Sequence, residues 1–269
     1  MKSSPSRKDS LRLRLISAAV GIPALLALVI TGPASTLFLA AVAVLLGLME
    51  FFRLAGLKSW LLRLGGFVLA LAFVAAGWRG YAGLLGATAA LSPFALLLAH
   101  RWTPPSARPA LLALAGPLYL GATLAHGILL RRLDQGSKLL LLAILSTFAI
   151  DTAAYFVGRA IGRHKLAPKI SPGKTWEGAI GGFAAGIAAA VALAFAFDLH
   201  VPLWKAAGIG ASLGIVGQAG DLLESALKRA HQAKDAGGLI PGHGGILDRL
   251  DSIVYNLVVV YHFYVWGTS

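Results

Sequence analysis

The feature that most constrains this chain is the recurrence of apolar runs about as long as a bilayer is thick. Segments at 13–31, 34–52, 61–78, 81–99, 109–129, 138–158, 178–197, 203–221 and 250–266 are dominated by Leu, Ala, Val, Ile, Phe and Gly. A transmembrane helix needs about 20 such residues, because the hydrocarbon core is roughly 30 Å thick. Lipid offers the backbone no hydrogen bonds, so each run must satisfy its own N–H and C=O groups as a helix. The chain therefore reads as an all-α polytopic integral membrane protein, about nine transmembrane helices in one bundle. Composition agrees: 13% of residues are charged and the mean hydropathy is +0.76, whereas soluble domains carry roughly 25% charged residues. No soluble domain or low-complexity linker is evident, so residues 1–269 are read as one membrane domain.

The formal charge of +13 would suit a nucleic-acid partner only if the cations were gathered on one face with aromatics between them. Here they sit in short connections between apolar runs, so no nucleic-acid partner is expected and the charges are read as setting orientation. With the N-terminus in the cytoplasm, 19 of the 24 basic residues fall on the inner side. Arg79, Arg131, Arg132, Lys138 and Lys205 are left outside. This bias puts the N-terminus and the two longest loops, 159–177 and 222–249, in the cytoplasm, and Ser269 on the opposite side. The opening "MKSSPSRKDSLRLR" has the basic character of a signal-peptide head. The apolar run behind it is longer than such signals use and lacks a clear A-x-A site, so the first span is expected to be retained. The chain has no cysteine, which excludes disulfides, thiolate metal sites and cysteine nucleophiles.

The acids are unevenly placed. Up to residue 133 there are only Asp9 and Glu50, whereas Asp151, Glu177, Asp198, Asp221, Glu224, Asp235, Asp248 and Asp251 follow within about a hundred residues. Carboxylates near or within lipid are costly and mark functional sites by default. Residues 1–133 thus read as mainly scaffold and 145–252 as the catalytic region. Asp221 ends the eighth span, with Glu224 on the same face one turn on, while Asp248 and Asp251 open the ninth at a spacing that shares a helical face. Carboxylates converging from two helix ends, with no sulfur available, suit a hard cation such as Mg²⁺. Helix capping and pairing with Lys228, Arg229 and Arg249 is the plainer alternative. Gly242, Gly244 and Gly245 strip side chains from the approach to the last helix, so that backbone N–H groups can meet an anion. His243 between them either contacts phosphate or braces the turn.

The other long loop, "GRAIGRHKLAPKISPGKTWEG" from Gly158 to Gly178, contains a G-K-T triplet but is no P-loop. The position of the first glycine is Pro168, and no strand is expected before it. It reads instead as a cationic loop, Arg159, Arg163, Lys165, Lys169 and Lys174, with Ser171 a candidate N-cap for the following helix. Asp151, within the sixth apolar run, is expected to face the bundle interior. Small residues in "GGFAAGIAAA" and "GIGASLGIVGQAG" read as close helix–helix packing faces.

The run "SALKRAHQAKDAGGLIPGHGGILDRLD", Ser225 to Asp251, resembles the signature of the phosphatidate cytidylyltransferases, or CDP-diacylglycerol synthases. Its fixed positions are all present: Ser225, Lys228, Arg229, Lys234, Asp235, Pro241, His243, Gly244, Gly245, Asp248, Arg249 and Asp251. The upstream "DTAAYFVGRAIGRHKLAPKISPGKTWEGAIGG" is similar to the family's second region. The N-terminal half matches in hydrophobicity and approximate span count alone.

The resemblance implies transfer of a cytidylyl group from CTP to phosphatidate, giving CDP-diacylglycerol and pyrophosphate in phospholipid biosynthesis at the cytoplasmic face of a bacterial inner membrane. It implies Mg²⁺, with K⁺ beside it, held by Asp221, Asp248 and Asp251. Lys174, Lys228, Arg249 and His243 are assigned to the reacting phosphates. Ser171, Glu177, Arg229, Lys234, Asp235, Gly244 and Gly245 are assigned to substrate binding, and a homodimer is allowed. An ion-coupled membrane transporter is the alternative; it accounts for the spans and Asp151, but internal repeats are missing and the polar signature sits in loops. A CDP-alcohol phosphotransferase would need a D-G-x-x-A-R run, which does not occur.

Overall fold

The computed structural model describes residues 7–101, 103–240, 242 and 244–266, so Pro241, His243 and Ser269 lie outside the described residues. It is almost wholly helical. In chain order come α1 (Arg7–Thr31), α2 (Pro33–Leu54), α3 (Trp60–Arg79), α4 (Ala82–Arg101) and α5 (Arg108–Gly116). A π-helical turn over Pro117–Ala122 leads into α6 (Thr123–Arg131), then α7 (Gly136–Ile161), α8 (Trp176–Ala196), α9 (Leu203–Ala230), the single turn α10 (Leu247–Leu250) and α11 (Ile253–Val265).

Each apolar run of the sequence falls on helix, but seven of the described helical segments, not nine, are long and apolar enough to cross a membrane. Among the described residues, the apolar stretch of α1 is Ala19–Thr31. Helix α11 has 13 residues, about 20 Å at 1.5 Å per residue, which falls short of the hydrocarbon thickness. The ninth run is broken because Asp251 and Ser252 form a turn between α10 and α11.

Local chemistry sets the ends. Ser59 caps α3 by accepting the Leu62 N–H, and Gly80, at φ 87°, ends it in the left-handed region where glycine carries no Cβ penalty. Thr175, not Ser171, caps α8: its hydroxyl accepts the Gly178 N–H at 3.1 Å. Helix α9 runs to Ala230, well beyond the apolar run that ends at 221. Its polar last turns include a Glu224–Lys228 pair at i, i+4, which supports a helix outside lipid.

The segment Arg108–Arg131 is the axis of the bundle: 83% of its apolar window is buried, against 22–39% for the other six spans. Pro117 has no N–H to continue the α ladder, and the turn widens to π at that residue. Elsewhere the bundle turns large apolar groups outward, as Phe38, Phe94, Phe195 and Trp204 show. Such faces are compatible with lipid rather than water.

Helices α7, α8 and α9 pack through small residues. Gly178, Gly182, Gly186, Ala190 and Ala194 are the buried stripe of α8. A Cβ on Gly186 would stand 2.8 Å from the Gly210 carbonyl of α9, and one on Gly182 3.1 Å from the Ile150 carbonyl of α7. This is the close backbone approach that the small-residue runs predict. On α9 the glycine face continues: a Cβ on Gly217 would meet Asn256, and one on Gly220 would stand 2.6 Å from the Asp251 carbonyl. That last approach seats the end of α9 beside the Asp251 turn.

The loop between α7 and α8 holds an unexpected element. Strands β1 (Lys165–Ala167) and β2 (Ser171–Thr175) form an antiparallel hairpin with Lys165 opposite Thr175 and Ala167 opposite Ser171. A strand thus does precede the G-K-T triplet, although Pro168 still excludes a P-loop. The hairpin was hidden because it is short and carries no period-2 apolar pattern.

Candidate functional site

The site lies where the C-terminal ends of α2, α7 and α9 meet β2 and α10. Lys174 on β2 reaches α9, its Nζ 2.5 Å from Asp221 Oδ2. Two turns further along α9, Lys228 joins Glu224 Oε1 at 3.1 Å and Asp248 Oδ1 at 2.8 Å. Tyr119, from the π turn of the axial helix, donates to Glu224 Oε2 at 3.4 Å. The Ser225 hydroxyl donates to Asp221 Oδ1 at 3.2 Å.

Asp248 is the hub of the polar loop. Besides Lys228 it accepts the Ala236 N–H at 3.0 Å and the Gly245 N–H at 2.9 Å. Burial raises its carboxyl, but Lys228 and the Gly245 and Ala236 N–H groups outweigh this and hold it below the ordinary aspartate value. The Gly245 N–H is therefore turned to the protein's own Asp248 and the Leu247 N–H to Glu50, rather than standing open to a bound anion. The glycines retain a conformational role: Gly242 and Gly244 have φ of 78° and 84°, and Gly244 bridges back to Ile240.

The expected convergence of Asp221, Asp248 and Asp251 takes a different form. Asp251 sits in the turn after α10, where Asp251 Oδ1 accepts the Ser252 N–H at 2.7 Å. Its carboxylate lies close enough to those of Asp221 and Asp151 for the like charges to repel. Asp251 is the C-cap of α10 with helical φ and ψ, so it follows Asp248 within the same turn, and both line one cavity with Asp221. Among the described residues, no three His, Asp or Glu side chains stand together as a ready-made metal cage.

The other sequence candidates divide. Arg249 lines the same cavity as the acids and lies near Asp151. Asp235 lines it as well, while Lys234 is exposed. Arg229 is spent on structure, its Nε donating to the Ile170 carbonyl and its Nη1 to the Ala233 carbonyl, each at 3.2 Å. Glu177 closes the base of the hairpin, taking the His164 backbone N–H at 3.3 Å and His164 Nδ1 at 2.7 Å. Ser171 pairs within the hairpin.

Sequence reasoning left two residues out of the site that matter here, Glu50 and Tyr119, whereas the pairing of Glu224 with Lys228 is the plainer alternative it offered for the acids. For Glu50 a signal was present, since a carboxylate in an apolar helix is expensive and marks a site by default.

These side chains form one end of a cavity of about 860 Å³. Asp151, Asp221, Asp248, Asp251, Lys228 and Arg249 line its polar end, and Ile22, Leu25, Val29, Leu39, Ile144 and Phe148 its apolar walls. A space with a charged head and a greasy body fits an amphiphile.

The fold and the site define a helical integral membrane protein with a polar pocket at one end of its bundle. The chain belongs to the Cytidylyltransferase family, whose model it matches over residues 12–266. It is 41% identical over 145 residues to the phosphatidate cytidylyltransferase of Bacillus subtilis (strain 168), a match covering 54% of each chain. It is 42% identical over 171 residues to that of Brucella suis biovar 1 (strain 1330), covering 63% of this chain and 61% of the relative. Identity to the phosphatidate cytidylyltransferase of Staphylococcus epidermidis (strain ATCC 12228 / FDA PCI 1200) is 44% over 124 residues, 46% of this chain and 48% of the relative. The chain thus spans about half to three-fifths of the length of these curated relatives.

Proposed function

We propose that the chain transfers the cytidylyl group of CTP to phosphatidate, forming CDP-diacylglycerol and pyrophosphate at the cytoplasmic face of a bacterial membrane. The observation that carries this reading is the two-ended cavity: acyl chains suit its apolar walls, and phosphates suit Lys228 and Arg249 at its polar end. The helix ends that build the site are those the basic residues assign to the cytoplasm, which supports the orientation.

In the reaction a phosphate oxygen of phosphatidate bonds to the α-phosphorus of CTP. The bond from that phosphorus to the bridging oxygen breaks, and pyrophosphate leaves with the electron pair. The nucleophile is already anionic near neutral pH, so the protein's task is to bring two polyanions together and stabilise charge on the leaving group. Lys174, held by Asp221, exchanges that carboxylate for a substrate phosphate. Lys228 stays anchored by Glu224 and Asp248 and presents a fixed positive charge, and Arg249 adds a planar cation.

Mg²⁺, with K⁺ beside it, fits the donor set, because oxygen donors line the cavity and Mg²⁺ is commonly held by one or two carboxylates plus substrate phosphates. The Lys174 ammonium, with no acceptor among the described residues other than its ion-pair partner, already stands as a cation against Asp221. Asp221 and Asp251 would hold the metal beside Asp151, with Asp248 as the third acid of the set. When bound it supplies charge neutralisation at the phosphoryl oxygens.

The test is purified protein in detergent with labelled CTP, phosphatidate and Mg²⁺. CDP-diacylglycerol that appears only when all three are present supports the reading. Ion-dependent uptake into vesicles without CTP turnover would replace it with a transporter.

A further inference from the structure

Glu50 stands one turn before the end of α2, in the half of the chain that reads as scaffold, and is 2% exposed. Its Oε2 accepts the Leu247 N–H at 2.9 Å, and its Oε1 is buried with no hydrogen-bond partner among the described residues. The loop between α9 and α10 closes directly over this carboxylate, so that a Cβ on Gly237 or on Gly245 would overlap its oxygens. Neither glycine has positive φ, so these two positions require space rather than a special backbone. An isosteric apolar side chain would fill the space under the loop at less cost in lipid; what it could not supply is an acceptor for Leu247.

We propose that Glu50 is a positioning residue of the active site, clasping the first turn of α10 so that Asp248 is aimed at Lys228. Leu247 directly precedes Asp248. Fixing its N–H on α2 fixes the turn from which Asp248 takes the Gly245 and Ala236 N–H groups and the Lys228 ammonium. One carboxylate thus grips the loop from the scaffold side and the other from the site side. Glu50 acts through Asp248 and touches no substrate. The inference rests on the proposed transferase reading and assigns the N-terminal half a part in it.

Amide exchange at Leu247, followed with turnover, tests it on the full chain in detergent. For Glu50→Ala the Leu247 amide is expected to exchange at least about tenfold faster. Turnover should fall at least about thirtyfold, with KM for CTP changed less than about threefold. Glu50→Gln keeps an acceptor and should keep Leu247 protected and turnover within about fivefold. Gly237→Ala, whose new methyl displaces the carboxylate, should behave like Glu50→Ala, and the double variant should be no worse than Gly237→Ala alone. Unchanged Leu247 exchange in Glu50→Ala overturns the proposal, as does equal loss of turnover in Glu50→Gln and Glu50→Ala. Should Glu50→Ala fail to fold, Glu50→Gln and Gly237→Ala decide the matter by the same two readouts. If the wild-type chain makes no CDP-diacylglycerol, the transferase reading fails, while Leu247 exchange still decides whether Glu50 clasps the loop.

Discussion

Lys174 Nζ stands 2.5 Å from Asp221 Oδ2, tying strand β2 to helix α9 across the mouth of the site. The hairpin is what gives a loop lysine a fixed reach. Lys174 and Asp221 are each about three-quarters buried, so the pair is shielded from salt more than a surface bridge is. A cation and a carboxylate so placed can both be re-partnered when phosphate and metal arrive.

The first prediction compares the two lysines of the hairpin. Lys174→Ala should lower turnover by about a hundredfold or more while leaving the yield of folded protein near wild type. Lys165, at the exposed end of β1, should cost less than about threefold when changed to Ala. CDP-diacylglycerol assays on both variants check this. Equal small effects would return the loop to a purely topological role.

The second concerns Lys228, whose side chain is 12% exposed between Glu224 and Asp248. Lys228→Met keeps the stem but leaves two buried carboxylates facing each other without their cation. Breaking one partner of a buried ion pair costs about 3–5 kcal/mol, so thermal unfolding in detergent should shift down by many degrees, together with loss of activity. An unchanged unfolding midpoint would mean that the loop relaxes and lets water in.

How much of this was legible beforehand follows from what each residue depends on. The apolar runs of α2 to α9 were readable because lipid enforces a local rule, length and hydrophobicity, that needs no knowledge of neighbours. The glycine stripe of α8 was readable for the same reason. The polar tail of α9, the hairpin and the break between α10 and α11 were not, since they lie outside lipid and are set by contacts such as Gly220 against the Asp251 carbonyl. The acids were recognised as a set by type and position. Which carboxylate faces which cation depends on non-local packing. Asp248 therefore turned out to hold Lys228, and Glu50 joined the site from 197 residues away.

A third prediction tests the glycine packing. Gly186→Val places its branches against the Gly210 carbonyl and Ile150, where a Cβ alone would come within 2.8 Å and 3.1 Å. Overpacking of this kind costs about 1–3 kcal/mol or more, so folded yield should fall sharply. Gly65→Ala, with nothing within 4 Å of its Cβ, should be neutral or slightly stabilising, because alanine is the better helix former. Monodisperse yield after detergent extraction separates the two.

The fourth is topological. The chain has no native cysteine, so single cysteines can be introduced directly at exposed positions of the hairpin and of the loop between α9 and α10. Both should resist a membrane-impermeant maleimide in intact cells and react after permeabilisation, as the 19-to-5 distribution of basic residues requires. Labelling of either in intact cells would invert the orientation.

The last prediction separates the two aspartates that the sequence treats as equivalent. Asp251→Asn retains volume and can still accept the Ser252 N–H, but removes a charge that repels Asp221 and Asp151. Without metal this change should leave the protein as stable as wild type or more so. With metal it deletes a hard ligand, and the loss of about 3 kcal/mol of transition-state stabilisation is already more than a hundredfold in rate. Asp248→Asn instead weakens a hub that binds Lys228 and two backbone N–H groups, so it should lose stability along with activity. The measurement is CDP-diacylglycerol formation against Mg²⁺ concentration, paired with the unfolding midpoint at zero and saturating Mg²⁺. Asp251→Asn should lose the Mg²⁺-dependent rise in midpoint that wild type shows, whereas Asp248→Asn should start from a lower midpoint. If Asp251→Asn keeps both its rate and its Mg²⁺ response, the metal is held elsewhere and Asp251 is a helix cap.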